Sequence, residues 1–109
     1  MTTRRLRALC RTWQKRLRLQ DWRITADLAT QEQMGQAEGK VEYDETEQVA
    51  HVYILRGLPP DRAEETLIHE LLHLRLARLH AKNDTDKEMA INLLADSLRG
   101  AYAEGTNGA

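Results

Sequence analysis

Apolar residues at Leu6, Leu9, Cys10, Trp13 and Leu17 recur every three or four positions, the spacing that keeps side chains on one face of a helix. This predicts an amphipathic helix over residues 3–19, with Thr2 or Thr3 as its N-cap. After Asp21 the period changes. Trp22, Ile24, Ala26 and Leu28 alternate with Arg23, Thr25, Asp27 and Ala29, the period-two pattern of a strand with one buried face. Ala37, Gly39, Val41 and Tyr43 repeat the alternation over residues 36–43. A glycine inside such a strand marks a bulge or a close approach by another element. Residues 48–56 are β-branched and apolar nearly throughout, which predicts a third strand, buried on both faces or lying beside a core helix. The short links between the strands, Asp44-Glu45-Thr46-Glu47 among them, predict an antiparallel meander.

Gly57-Leu58-Pro59-Pro60 ends the third strand. Asp61 reads as an N-cap with Glu64 completing a capping box, and a helix over 61–80 follows. Lys82-Asn83-Asp84 reads as a short connection into a last helix over 85–102, where Ile91, Ala95, Leu98 and Tyr102 share one stripe. Residues 105–109 read as a flexible tail. The expected fold is α+β, a single domain over 1–104 in the order α-β-β-β-α-α, with a three-stranded antiparallel sheet packed against helices.

The helix over 61–80 carries His69-Glu70-Leu71-Leu72-His73 between apolar flanks. Histidines four apart lie on one helix face, about one turn from each other, and two imidazoles so placed can hold one Zn²⁺. Glu70 is rotated by about 100° from His69 and flanks that position, where a carboxylate can act as general base. A polar surface helix is the alternative, but apolar flanks point to a buried helix, and buried imidazoles need partners. The five residues in this helical setting resemble the motif of the zincin metallopeptidases. The resemblance implies a zinc-dependent peptide hydrolase with His69 and His73 as ligands and Glu70 as catalytic base. It also implies a sheet against the motif helix, one of whose strands pairs with an extended substrate.

A catalytic zinc site takes a third protein ligand. His80 lies seven residues beyond His73, about 10 Å along a straight helix and too far to share an ion. Leu76 and Leu79 stand where the metzincin branch needs Gly and His, which excludes that branch. Glu88 heads the apolar stripe of the last helix, where an unpaired carboxylate is costly. Its place resembles the gluzincin branch, whose third ligand is a Glu on a following helix. Asn92, one turn on, can accept an imidazole N–H where that branch usually has Asp. Against this, Thr85-Asp86-Lys87-Glu88 is also a capping box, and Asp84 and Asp86 remain alternative ligands. His51, Tyr43, Tyr53 and Tyr102 are the available donors to a developing oxyanion. Glu65, one turn before His69, can pair with Arg62 or orient His69. With its size, the chain resembles small zincin-like proteins encoded by bacteriophages and prophages.

Composition narrows the classes. The chain has 109 residues, one cysteine and 41% hydrophobic residues, which excludes an internal disulfide and a Cys-based zinc site. No apolar run approaches the ~20 residues of a membrane span, and no signal-peptide pattern opens the chain, so a cytoplasmic location is expected. A net charge of −1 hides an asymmetry: seven bases and no acid occupy the first 20 residues, and the other nine bases face all seventeen acids. A solvated face balancing an acidic body is the preferred explanation, since no aromatic or Gly-rich nucleic-acid motif accompanies the charge; a helix that touches nucleic acid is the alternative. The expected partner is a peptide or protein substrate; the charge of the first helix also admits nucleic acid, and no membrane partner is expected. A non-catalytic module that keeps zinc as a clamp, DNA-associated through that helix, is the alternative function.

Overall fold

The computed structural model describes residues 1–77 and 84–107, with the side chains of 84–87, 90 and 102–107 left aside. Its elements are α1 (Thr3–Arg16), β1 (Arg23–Ala29), α2 (Gln31–Met34), β2 (Gly39–Asp44), β3 (Val49–Leu55), α3 (Pro60–Arg75) and α4 (Asp84–Asn107). Among the described residues the fold is α+β, with a three-stranded sheet and four helices. No helix among the described residues is long and apolar enough to cross a membrane.

The sheet is mixed, which corrects the antiparallel meander. The strand order is β1-β3-β2. β1 runs parallel to β3, pairing Arg23 with Val49 through Ala29 with Leu55, and β2 runs antiparallel to β3. The cause is the link over residues 30–38. Thr30 and Gln33 form a capping box that starts the one-turn helix α2, and Gly35 at φ 65° ends it. This link carries the chain past the end of the sheet, so β2 lands on the outer edge and leaves a slot for β3. The β2–β3 connection is a true hairpin: the Asp44 carboxylate accepts from the Thr46 and Glu47 backbone N–H at 2.9 and 3.1 Å. β3 is buried on one face only. Ala50, Val52 and Ile54 enter the core, while His51, Tyr53 and Leu55 are half-buried on the other side.

α1 and α3 cover the face built from Ile24, Ala26, Ala50, Val52, Ile54 and Val41. α1 is capped by Thr2, whose side chain accepts from Arg5 N–H, and buries Leu6, Cys10 and Trp13. It ends at Arg16, before the expected residue 19, because Arg18 turns left-handed at φ 56°. Burial pushes the Cys10 thiol up to about 11, against a smaller pull from Arg11, so it holds no thiolate at neutral pH.

α3 begins one residue earlier than expected and without the capping box. Pro59 is the N-cap and makes no side-chain cap bond; Pro60 takes the first helical position, where its preset φ suits the helix. Asp61 and Glu64 are thereby freed for other work. The Arg99 guanidinium of α4 meets Asp61 at 2.6 Å and Glu64 at 3.4 Å, and the Trp13 indole N–H donates to Glu64 at 3.0 Å. Three helices are tied at this point. α3 ends at Arg75, short of residue 80, with Leu76 closing its last turn. His80 and the Lys82-Asn83 link lie outside the described residues. α4 buries Ile91 and Ala95 and runs on to Asn107, so the tail expected from 105 is helical for its first three residues. Ala101, Ala103 and Glu104 favour helix, and Gly105 alone does not stop it.

Candidate metal centre and cleft

α3 presents two faces. Leu67, Ile68, Leu71, Leu72 and Leu74 are buried, and His69 and His73 stand half-buried on the side turned to α4. One helical turn separates the two imidazoles, so their Nε2 atoms lie 3.3 Å apart, with ring planes inclined at 63°. Glu88, in the second turn of α4, closes the group. Its carboxylate oxygens lie 2.8 Å from His73 Nε2 and 3.2 Å from His69 Nε2. Both oxygens are therefore directed at imidazoles. The side chain of Thr85, which a capping box would need, lies outside the described residues, as do those of Asp84 and Asp86.

Donor atoms held ~2.0–2.1 Å from one tetrahedral ion stand ~3.3–3.4 Å from each other. The three separations here, 2.8 to 3.3 Å, fall at or just inside that spacing. Two Nε2 atoms 3.3 Å apart also share at most one proton between them, an arrangement that a cation accommodates without a clash of hydrogens. Two imidazoles and one carboxylate form a donor set suited to catalytic zinc. The residues fit the ion.

Glu70 adjoins that trio, with a carboxylate oxygen within 4.8 Å of a ring nitrogen of each histidine. Its side chain lies against Gly39 of β2, and its Oε2 is 3.8 Å from His69 Nε2. The residue is 7% exposed. Burial, and secondarily the Glu88 charge, push its carboxyl up to about 7. A carboxylate so placed exchanges a proton near neutral pH, as a general acid–base group must. Gly39 makes the approach of β2 to α3 feasible: a Cβ there would stand 2.5 Å from Thr66 Cγ2 and 3.1 Å from Glu70 Cγ. The glycine thus marks a close approach and not a bulge.

A cleft of about 360 Å³ opens beside Glu70 and His69, walled by Glu38 and Gly39, by Arg62 and Glu65 of α3, and by Asn92 of α4. β2, the edge strand, reaches it with its first residue, Gly39. His73 and Glu88 lie beyond its wall, so the candidate centre sits at one end of the cleft. Arg62 does not pair with Glu65 within ion-pair distance; its Nε donates to Glu38 at 2.6 Å, and Glu65 is left lining the cleft. Sequence reasoning missed Glu38 and Thr66, because each needs the β2–α3 contact to reach the site. The one available signal was Gly39.

Several expected roles are not met. Asn92 is exposed on the cleft wall and, among the described residues, donates to or accepts from neither imidazole. His51 lies on the sheet face away from α3, where its Nε2 meets Asp27 at 2.8 Å and its ring stacks on Tyr53 at 4.3 Å. Tyr43 packs edge-on against Trp22, with centroids 6.0 Å apart, and lines no part of the cleft. The Tyr102 side chain lies outside the described residues. Compared with known protein families, with curated proteins and with solved structures, the chain matches none.

Proposed function

We propose that this cleft is the active centre of a zinc-dependent metallopeptidase. The observation that carries the reading is the convergence of His69, His73 and Glu88 from two helices within 3.3 Å of one another, with Glu70 buried beside them. The resemblance to zincins, gluzincins in particular, rests on the His69-Glu70-x-x-His73 motif and on the carboxylate that α4 adds to it.

In this reading His69 and His73 hold Zn²⁺ through Nε2, and Glu88 is the third ligand. When bound, the ion polarises a carbonyl and makes water acidic enough to be a nucleophile at neutral pH. Glu70 takes the proton of the attacking water. The carboxyl so protonated then delivers that proton to the departing amine. The outer edge of β2 pairs with no other strand among the described residues, and an extended peptide can add to it as a strand that enters the cleft past Gly39. The open cleft, reaching only one side of the ligand group, favours turnover over a closed structural clamp.

The test is metal content and hydrolysis together. Protein purified without added zinc should carry about one equivalent, lost in His69→Ala and His73→Ala. Glu70→Gln should keep the metal and lose hydrolysis of any peptide the wild type cleaves. Full zinc occupancy in both histidine variants would remove the reading, and loss of zinc in Glu70→Gln would make Glu70 a ligand.

A further inference from the structure

We propose that the outer face of α1 is a sequence-independent docking surface for the phosphodiester backbone of duplex nucleic acid. This stands apart from the candidate metal centre and does not depend on it.

α1 carries all its apolar side chains inward, with Leu6, Cys10 and Trp13 buried. The opposite face is cationic. Arg4, Arg11 and Lys15 are exposed, and among the described residues none of them has an acid within ion-pair distance. At 100° and 1.5 Å per residue these three fall within about 40° of one another and span about 16 Å of helix. Arg7 flanks the row; its guanidinium is shared with Asp27 at 2.7 Å and with the Ala26 carbonyl at 3.3 Å, which anchors the helix to β1. No acid occurs before Asp21, so nothing on the helix itself neutralises the row.

Three features select the partner. First, the row is mostly arginine, whose planar fork suits phosphate oxygens. Second, α1 has no apolar residue left to insert into a bilayer, which a membrane-surface helix requires. Third, α1 exposes no aromatic ring, since Trp13 is 1% exposed, so it offers no platform for stacking unpaired bases. A duplex backbone needs neither. The helix is seated against β1 and α3 along its inner side, so it meets a phosphate ridge and does not enter a groove to read bases.

The experiment measures anisotropy of a labelled 20-base-pair duplex, its single strand, and phosphatidylserine vesicles, all with chelator present. Duplex binding should weaken steeply with salt. Each phosphate contact contributes about −0.9 to the slope of log K against log salt, so Arg4→Gln/Arg11→Gln/Lys15→Gln should flatten the slope by about 3. Between about 50 and 200 mM salt the wild type should then lose ~40-fold more affinity than the triple variant. Circular dichroism confirms that the variant is folded. Unrelated duplexes should bind alike. The proposal is overturned by no duplex binding at low salt, by an unchanged slope in the triple variant, by tighter binding of the single strand, or by equal binding to the vesicles.

Discussion

Gly39→Ala tests the contact on which the site depends. An added Cβ would sit 2.5 Å from Thr66 Cγ2, far inside van der Waals contact, and 3.1 and 3.2 Å from Glu70 Cγ and Oε2. Thr66 cannot rotate away cheaply, because its hydroxyl donates to the Arg62 carbonyl at 2.8 Å and the residue is buried. β2 must therefore move off α3 by roughly an ångström, at a cost of about 1–3 kcal/mol for overpacking. The same movement carries the cleft edge away from Glu70. Thr66→Ser deletes only the clashing methyl and keeps the hydroxyl bond. Urea denaturation of wild type, each single variant and the double variant gives the cycle. Gly39→Ala should lose 1–3 kcal/mol, by the overpacking range, in the wild-type background and clearly less beside Thr66→Ser. Zinc affinity should change little, since no ligand touches Gly39, while hydrolysis should fall. Full stability in Gly39→Ala, or equal losses in the two backgrounds, would refute the close-approach account.

Glu70→Gln probes the raised carboxyl in protein stripped of metal. An acid with its folded pKa above its unfolded value contributes stability below the unfolded pKa and loses it as pH rises through the folded one. With values of 4.5 and about 7, wild type should weaken between pH 4.5 and 7 relative to the variant, by about 3 kcal/mol in all; parallel stability curves against pH would count against it. Glu88→Ala should lower zinc affinity sharply and melting temperature only with zinc present, with partial recovery in Glu88→His; calorimetric titration with zinc decides, and equal affinities return Glu88 to a capping role. Arg99→Met should cost about 1 kcal/mol in urea denaturation by removing its ion pairs to the exposed Asp61 and to Glu64. Arg99→Lys should restore only part of it, because an ammonium lacks the fork that spans Asp61 and Glu64; full recovery would argue for simple charge.

Local chemistry made much of this protein legible in its sequence. The three-and-four spacing from Leu6 to Leu17 specifies α1, because one helical face must enter a core. Two histidines four apart on an apolar helix must share a face whatever the surroundings, so the His69–His73 pair needed no tertiary information. Gly39 announced a close neighbour because only a residue without Cβ admits one. What tertiary structure decided concerns partners distant along the chain. Alternation shows that β1, β2 and β3 are strands, but not that β3 lies between the others; a nine-residue link over 30–38 can return beside β1 or hop to the edge. The nearly apolar run of β3 hid which residues face α3, and His51, one of four candidate oxyanion donors, lies on the other side of the sheet. Pro60 displaced the Asp61–Glu64 capping box, and only the packing of α1 and α4 against α3 could assign those carboxylates to Trp13 and Arg99. Glu88 shows the division most clearly. Its place on the apolar stripe favoured a ligand over a cap without excluding either, and only the antiparallel seating of α4 on α3 brings its carboxylate within 3.2 Å of both imidazoles.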